Sequence, residues 1–272
     1  MKRVLIIGGS DSGGGAGIQA DLKTVTVLGA YGTTVITALT AQNSLGVQGV
    51  HPVPTAFVAQ EIDSVMQDIG TDALKTGMLL NEEIVKTVSE KIREYKIDRV
   101  VVDPVLASKG GFPLLNKEAV GALVSHLLPL ALLVTPNIPE AETLTGVALK
   151  KPSNLEEAAR VFLKRGARNV LIKGGHAPVD WHPKERGIVE DLFYDGKTFR
   201  HLPALRIPTK NTHGSGCTLA SAIATGLAQG RGLLEATLMA KEFLQEAIKC
   251  SFKTGSGIGT LGHLRALPRH DL

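Results

Sequence analysis

Small residues crowd one stretch of the chain, Thr209-Lys210-Asn211-Thr212-His213-Gly214-Ser215-Gly216-Cys217-Thr218-Leu219-Ala220, and run directly into an alanine-rich helical pattern. A helix entered this way leaves its first backbone N–H groups unpaired, at the positive end of the helix dipole. Anion binding suits such a place, for a phosphate or for a metaphosphate-like group in transfer. A lone Gly-x-Gly before a helix is as readily an entry with no ligand. Cys217 in the first turn adds a second chemistry. A thiol there has its pKa drawn toward neutrality and can take a proton from an attacking hydroxyl; an inert buried cysteine is the plain alternative.

Other polar residues follow apolar runs. Asp103-Pro104-Val105 ends a β-branched run, and Thr135-Pro136-Asn137-Ile138-Pro139-Glu140-Ala141-Glu142 follows the next. In open α/β sheets, ligands bind beyond the carboxyl ends of strands. Acids and an amide there suit a magnesium ion held largely through water and phosphate oxygens, with Glu142 reading instead as a helix-surface acid. Lys173-Gly174-Gly175-His176 ends another apolar run, and Gln42 lies in Thr40-Ala41-Gln42-Asn43-Ser44-Leu45-Gly46-Val47-Gln48. A glutamine amide offers a donor and an acceptor together, the pattern of an aminopyrimidine edge, although a polar loop glutamine reads the same. His176 and His213 read as phosphate contacts or as satisfied loop residues.

The elements that must position these residues alternate. Residues 4–7, 34–39, 73–76, 100–103, 132–134 and 170–172 are apolar strand candidates. Between them, Ile18, Leu22, Val25 and Leu28 mark a helix ended by Gly29, and Val58, Ile62, Val65 and Ile69 mark a second. Asn81 caps a third, with Ile84, Val88 and Ile92, and further helices fall near 117–128, 155–164, 217–229 and 233–251. This alternation predicts a mostly parallel sheet covered by helices on both faces. Asp195-Gly196, between residues 188–194 and 197–200, signals a hairpin, so antiparallel strands should finish one edge.

Length and composition suit a single α/β domain over residues 1–272: 43 % hydrophobic, 21 % charged, net charge +4. Lysines and arginines are scattered among acids with no basic block, which argues against a nucleic-acid partner. Two cysteines make no disulfide framework, and neither has metal-type spacing. The N-terminal apolar run is short and reads as a buried strand, and no stretch approaches a membrane span, so a cytoplasmic protein with no membrane partner is expected. Gly15-x-Gly17-x-x-Ala20 fits a dinucleotide fingerprint only formally; it lies too far past the strand, and position 35 is Val where an acid belongs. A P-loop is excluded for want of its lysine.

The run Asn211-Thr212-His213-Gly214-Ser215-Gly216-Cys217-Thr218-Leu219-Ala220-Ser221-Ala222-Ile223-Ala224 resembles the signature of the hydroxymethylpyrimidine/phosphomethylpyrimidine kinases, within the ribokinase-like superfamily. Gly8-Gly9-Ser10-Asp11-Ser12-Gly13-Gly14-Gly15-Ala16-Gly17-Ile18-Gln19-Ala20-Asp21-Leu22-Lys23 resembles the same family's N-terminal motif, which lines the pyrimidine pocket. The similarity runs over most of residues 3–263. It implies a ribokinase-like fold, a homodimer, and transfer of phosphate from ATP, with Mg²⁺, to a pyrimidine alcohol and then to its monophosphate. Gly214, Ser215, Gly216 and Cys217 would form the anion hole, with Cys217 as base where most sugar kinases of the superfamily carry aspartate. Gln42, Asp21, Gly9, Ala16, Met78 and Val105 would meet the ring, although Met78 otherwise reads as core and Asp21 as a solvated acid. Lys173, Thr212, Asn137, Glu140 and Asp103 would meet the nucleotide phosphates, with Glu140 and Asp103 holding magnesium largely indirectly. Two stretches depart from the family pattern: Lys109-Gly110-Gly111-Phe112 replaces the commoner Lys-Ser-Gly-Asp, and residues 177–187, with Trp181 and His182, differ from the usual hairpin lead-in. A pyridoxal or pyridoxine kinase of the same fold is the alternative function, and a non-catalytic metabolite sensor a more distant one.

Overall fold

The computed structural model describes residues 1–107, 111, 115, 117–176 and 187–266. The Lys109-Gly110-Gly111-Phe112 departure (Gly111 apart) and residues 177–186 lie outside them.

Among the described residues nine strands form one sheet, in the order β3-β2-β1-β4-β5-β6-β7-β8-β9. They are β1 (Arg3–Asp11), β2 (Tyr31–Asn43), β3 (Gly46–Pro52), β4 (Ala73–Thr76), β5 (Val100–Val102), β6 (Leu133–Val134), β7 (Val170–Ile172), β8 (Ile188–Tyr194) and β9 (Phe199–Leu205). The central strands β2, β1, β4, β5, β6 and β7 pair in parallel. Their apolar runs are continuous because both faces are covered. Successive residues go to opposite cores: Leu5, Ile7, Val100 and Val102 to one, Val4, Ile6 and Val101 to the other.

Helices α2 (Thr55–Asp68), α3 (Glu82–Glu94), α4 (Lys117–Ala122), α5 (Ile138–Thr145) and α6 (Ser153–Lys164) cover the first face. Helices α1 (Gly17–Val27), α7 (Ser215–Ala228) and α8 (Leu233–Lys249) cover the second. The Asn81 carboxamide accepts the Ile84 N–H and starts α3 as its sequence predicts. The helix near 117–128 is present but loosens into a π turn over Leu123–Leu127.

Antiparallel pairs close both edges, not one. The β8–β9 hairpin turns at Asp195-Gly196, where the Asp195 carboxylate accepts the N–H groups of Lys197 and Thr198. The other edge carries the β2–β3 hairpin. It turns through Ser44-Leu45 with no Asn-Gly or Asp-Gly pair to announce it, and Asn43 Oδ1 accepts the Leu45 N–H instead. The segment around Gln42, which sequence places in a loop after the strand, is therefore the end of a longer strand.

The chain leaves β1 toward β2 and leaves β4 toward β5, and α1 and α3 lie on opposite faces. The sheet thus has a topological switch point between β1 and β4, and a crevice is expected at the carboxyl ends of these strands.

Candidate functional site

A cavity of about 680 Å³ opens over those strand ends. It gathers Gly9, Ala16, Asp21, Gln42, Met78, Asp103, Val105, Asn137, Glu140, Lys173, Thr212, Gly214, Ser215, Gly216 and Cys217, residues spread over most of the chain. Gly9 reaches it because the β1–β2 register slips between Gly8 and Ser10, and a similar slip at Ala41/Gln42 brings in Gln42. A side chain on Gly9 would lie 3.0 Å from the Met78 methyl group, so the wall there is backbone packed on thioether.

The first turn of α7 forms one end of the cavity. Gly214 precedes it with φ +82°, a left-handed conformation, and a Cβ there would stand 1.9 Å from the Gly15 carbonyl oxygen. The turn into α7 can therefore be made only by glycine, packed against the β1–α1 loop. Gly214→Ala should lower the melting temperature by several degrees, because the added Cβ forces the first turn of α7 away from the β1–α1 loop. A thermal melt beside the wild type checks this.

Lys173 and Asp103 lie against the same turn. A Cβ on Gly216 would be 3.3 Å from Lys173 Nζ and 3.4 Å from Asp103 Oδ2. Lys173 Nζ donates to Asp103 Oδ1 at 2.8 Å, and the Thr135 hydroxyl donates to the same oxygen at 3.1 Å. Burial works against the Lys173 charge, but Asp103 and Glu140 outweigh it and hold the ammonium above the ordinary lysine range.

Asn137 and Glu140 have a structural duty that the sequence reading did not assign. They form a capping box on α5: Asn137 Oδ1 accepts the Glu140 N–H at 2.9 Å, and Glu140 Oε2 accepts the Asn137 N–H at 2.8 Å. Burial pushes the Glu140 carboxyl up to about 7, against the pull of Lys173. Among the described residues no group of three or more His, Cys, Asp or Glu could hold a metal ion. Lys173 and Thr135 both engage Asp103 Oδ1, and the N–H groups of Asn137 and Leu106 engage Glu140, so neither carboxylate is free for full direct coordination of a cation. This donor set fits magnesium bound mainly through water and phosphate oxygens.

An unfolded glutamate titrates near 4.3, so ionising Glu140 in the folded protein costs stability. The cost sets in as pH rises through the unfolded value and is complete above 7. Glu140→Gln keeps an oxygen for the Asn137 N–H and removes the charge. It should raise the melting temperature by roughly 3–6 °C at pH 8 and leave it unchanged at pH 4, as read by scanning calorimetry.

Cys217 departs from its expected ionisation. Its place in the first turn of α7 predicts a thiol drawn toward neutrality, but burial pushes it up to about 12, outweighing Lys75 and the Gly17 N–H, which favour the thiolate. Asp21 is not a solvated acid. It is fully buried, accepts from Lys75 Nζ at 2.8 Å and from the Ser221 hydroxyl at 2.7 Å, and so ties α1, β4 and α7 together beneath the cavity. Asp21 holds Lys75 charged against its burial. Lys75 was not singled out from sequence, though a lone lysine inside Ala73-Leu74-Lys75-Thr76 signals a buried partner.

Asp11, within the Gly8–Lys23 motif, carries no local sequence signal of its role. It accepts the N–H groups of Gly13, Gly15 and Ala16 at 2.8, 3.0 and 2.8 Å and lies 2.9 Å from His213 Nε2. Burial raises its pKa, but His213 and these amides win and hold it below the ordinary carboxylate range.

A mostly parallel sheet with a switch-point crevice and a glycine-entered helix fits the ribokinase-like class, and the solved structures this chain resembles are small-molecule kinases of that class. Residues 11–262 match the phosphomethylpyrimidine kinase family, and the chain belongs to it. It is 46 % identical to the hydroxymethylpyrimidine/phosphomethylpyrimidine kinase of Bacillus subtilis over 100 % of this chain and 98 % of that one. It is 52 % identical to the thiamine biosynthesis bifunctional protein ThiED of Geobacter sulfurreducens, over 97 % of this chain but only 52 % of that longer protein. Among solved structures, an ADP complex of Bacillus subtilis pyridoxal kinase superposes with a TM-score of 0.89 at 39 % identity, covering 97 % of this chain and 98 % of that one.

Proposed function

We propose that the protein transfers the γ-phosphoryl group of ATP to the hydroxymethyl oxygen of 4-amino-5-hydroxymethyl-2-methylpyrimidine, and then phosphorylates the monophosphate to the pyrophosphate for thiamin synthesis. The observation that carries this reading is the joining in one cavity of an amide reader, Gln42, and a glycine-entered helix start bearing Cys217. The name of the Bacillus subtilis relative, a hydroxymethylpyrimidine/phosphomethylpyrimidine kinase, supports the substrate.

In this reading Gly9, Ala16, Met78 and Val105 form the ring's walls, and Gln42 reads its polar edge. Asp21 acts from below, through Lys75. The amides of Gly214, Ser215, Gly216 and Cys217 face the charge that spreads over the transferring group. Lys173, Thr212, Asn137 and Asp103 attend the nucleotide phosphates. Glu140 and Asp103 would hold magnesium largely through its waters, and the ion would supply neutralisation of phosphate charge there. Cys217 accepts the proton of the attacking alcohol. We also propose a cytoplasmic homodimer; no helix among the described residues is long and apolar enough to cross a membrane.

The likeness to a pyridoxal kinase favours a second reading, in which a pyridine alcohol is the acceptor. Comparing kcat/KM for the aminopyrimidine alcohol and for pyridoxal in one coupled ATP assay separates the two. The proposal expects the aminopyrimidine to be preferred, and a clear preference for pyridoxal overturns it.

A further inference from the structure

The donor and acceptor ends of the Gln42 amide are fixed by hydrogen accounting. Asp11 is an ionised acceptor, so the His213 Nε2 that lies 2.9 Å from its Oδ2 must carry a hydrogen, in the neutral or the charged ring alike. The Gln42 amide atom 3.2 Å from that same Nε2 therefore faces a donor and has to be the oxygen; a nitrogen there would set two N–H groups against each other. The far end of the amide gives the same answer independently. The Thr40 hydroxyl has one hydrogen and lies 2.9 Å from the Ser10 carbonyl oxygen, which can only accept. The Gln42 atom 3.2 Å from that hydroxyl must then donate, and is the NH₂. One half-turn of the amide, which leaves its shape unchanged, lets the single Nε2–H be shared between Asp11 Oδ2 and the Gln42 oxygen, and lets the NH₂ donate to the Thr40 hydroxyl.

We infer that Asp11, acting through His213, locks the Gln42 amide with its oxygen on the anion-hole side, so that the pocket selects ring alcohols with a hydrogen-bond donor beside the hydroxymethyl carbon. His213 immediately precedes Gly214, so the oxygen lies toward the α7 end of the cavity, where the proposed transfer takes place. An amino group on the neighbouring ring carbon meets the oxygen, and the adjacent ring nitrogen, an acceptor, meets the NH₂. His213 is a positioning residue and Asp11 the anchor that sets its hydrogen. The inference rests on the pyrimidine-kinase reading above.

The test uses the aminopyrimidine alcohol and its 4-oxo analogue, which presents C=O and ring N–H in place of amino group and bare ring nitrogen. The analogue reverses the pattern without changing the outline. A locked amide should disfavour it in kcat/KM by roughly 100-fold. His213→Gln retains N–H groups for both Asp11 and the Gln42 oxygen and should keep that ratio. His213→Phe removes the donor, frees the amide to turn, and should shrink the ratio to within about five-fold. A merely structural role for His213 lowers both substrates in parallel and leaves the ratio intact; that result overturns the inference. So does a wild-type enzyme that accepts both rings equally. Failure of the wild type to phosphorylate the aminopyrimidine at all is a different outcome, which overturns the underlying reading and the inference with it.

Discussion

Cys217→Ala should lower kcat by about 10²–10⁴ while leaving KM within a few-fold, because proton transfer from the alcohol is lost and the binding walls remain. Stopped-time assays at saturating ATP and acceptor measure it. The structure adds a condition that motif reading misses. Burial pushes the Cys217 thiol up to about 12, so at neutral pH the protein stores the protonated form and the thiolate is a minor population. The wild-type rate should therefore climb as pH rises above 7. Aspartate, the residue most sugar kinases of the superfamily carry here, starts from an ordinary pKa near 4, so the burial that lifts the thiol leaves a carboxyl far more ionised than Cys217 above pH 7. Cys217→Asp should retain more activity than Cys217→Ala and show a flatter alkaline profile. Equal loss in both variants would remove the proton-accepting role and leave Cys217 as packing.

Lys75→Met should destabilise the protein by about 3–5 kcal/mol, the usual consequence of leaving a buried charge without its partner. Lys75 and Asp21 are 1 % and 0 % exposed, so water cannot replace the lost ammonium. The double variant Asp21→Asn, Lys75→Met removes both charges and keeps an acceptor for the Ser221 hydroxyl. It should recover most of the loss, and urea denaturation of wild type, single and double variants forms the cycle. If single and double variants are equally unstable, packing of the lysine stem rather than charge pairing holds α1, β4 and α7 together.

Much of this arrangement was legible in the residue order. The parallel core strands announce themselves as short β-branched runs, because a strand buried on both faces has no polar side. The helix caps at Asn81 and Gly29, and the Asp195-Gly196 turn, are local signals read without knowing the fold. The β2–β3 hairpin was not legible, because its turn uses an asparagine side chain and a Ser-Leu pair instead of a left-handed Asn-Gly. Gathering Gln42, Asp103, Glu140, Lys173 and Cys217 into one cavity could be expected only through family resemblance; nothing local in the chain says that these segments meet. The ionisation of Cys217 and of Glu140 was beyond sequence altogether, since helix position and residue type fix only one part of a pKa and burial decides the rest. The Asn137–Glu140 capping box, by contrast, is a local signal, an asparagine followed three residues later by glutamate at a helix start.

The central claim is tested most directly by supplying ATP, Mg²⁺ and 4-amino-5-hydroxymethyl-2-methylpyrimidine and following the products by phosphorus NMR. The account predicts the monophosphate first and the pyrophosphate after it, with one ADP formed for each phosphoryl group transferred. ADP formation no faster than in the absence of the pyrimidine, with no new phosphate ester, would contradict it.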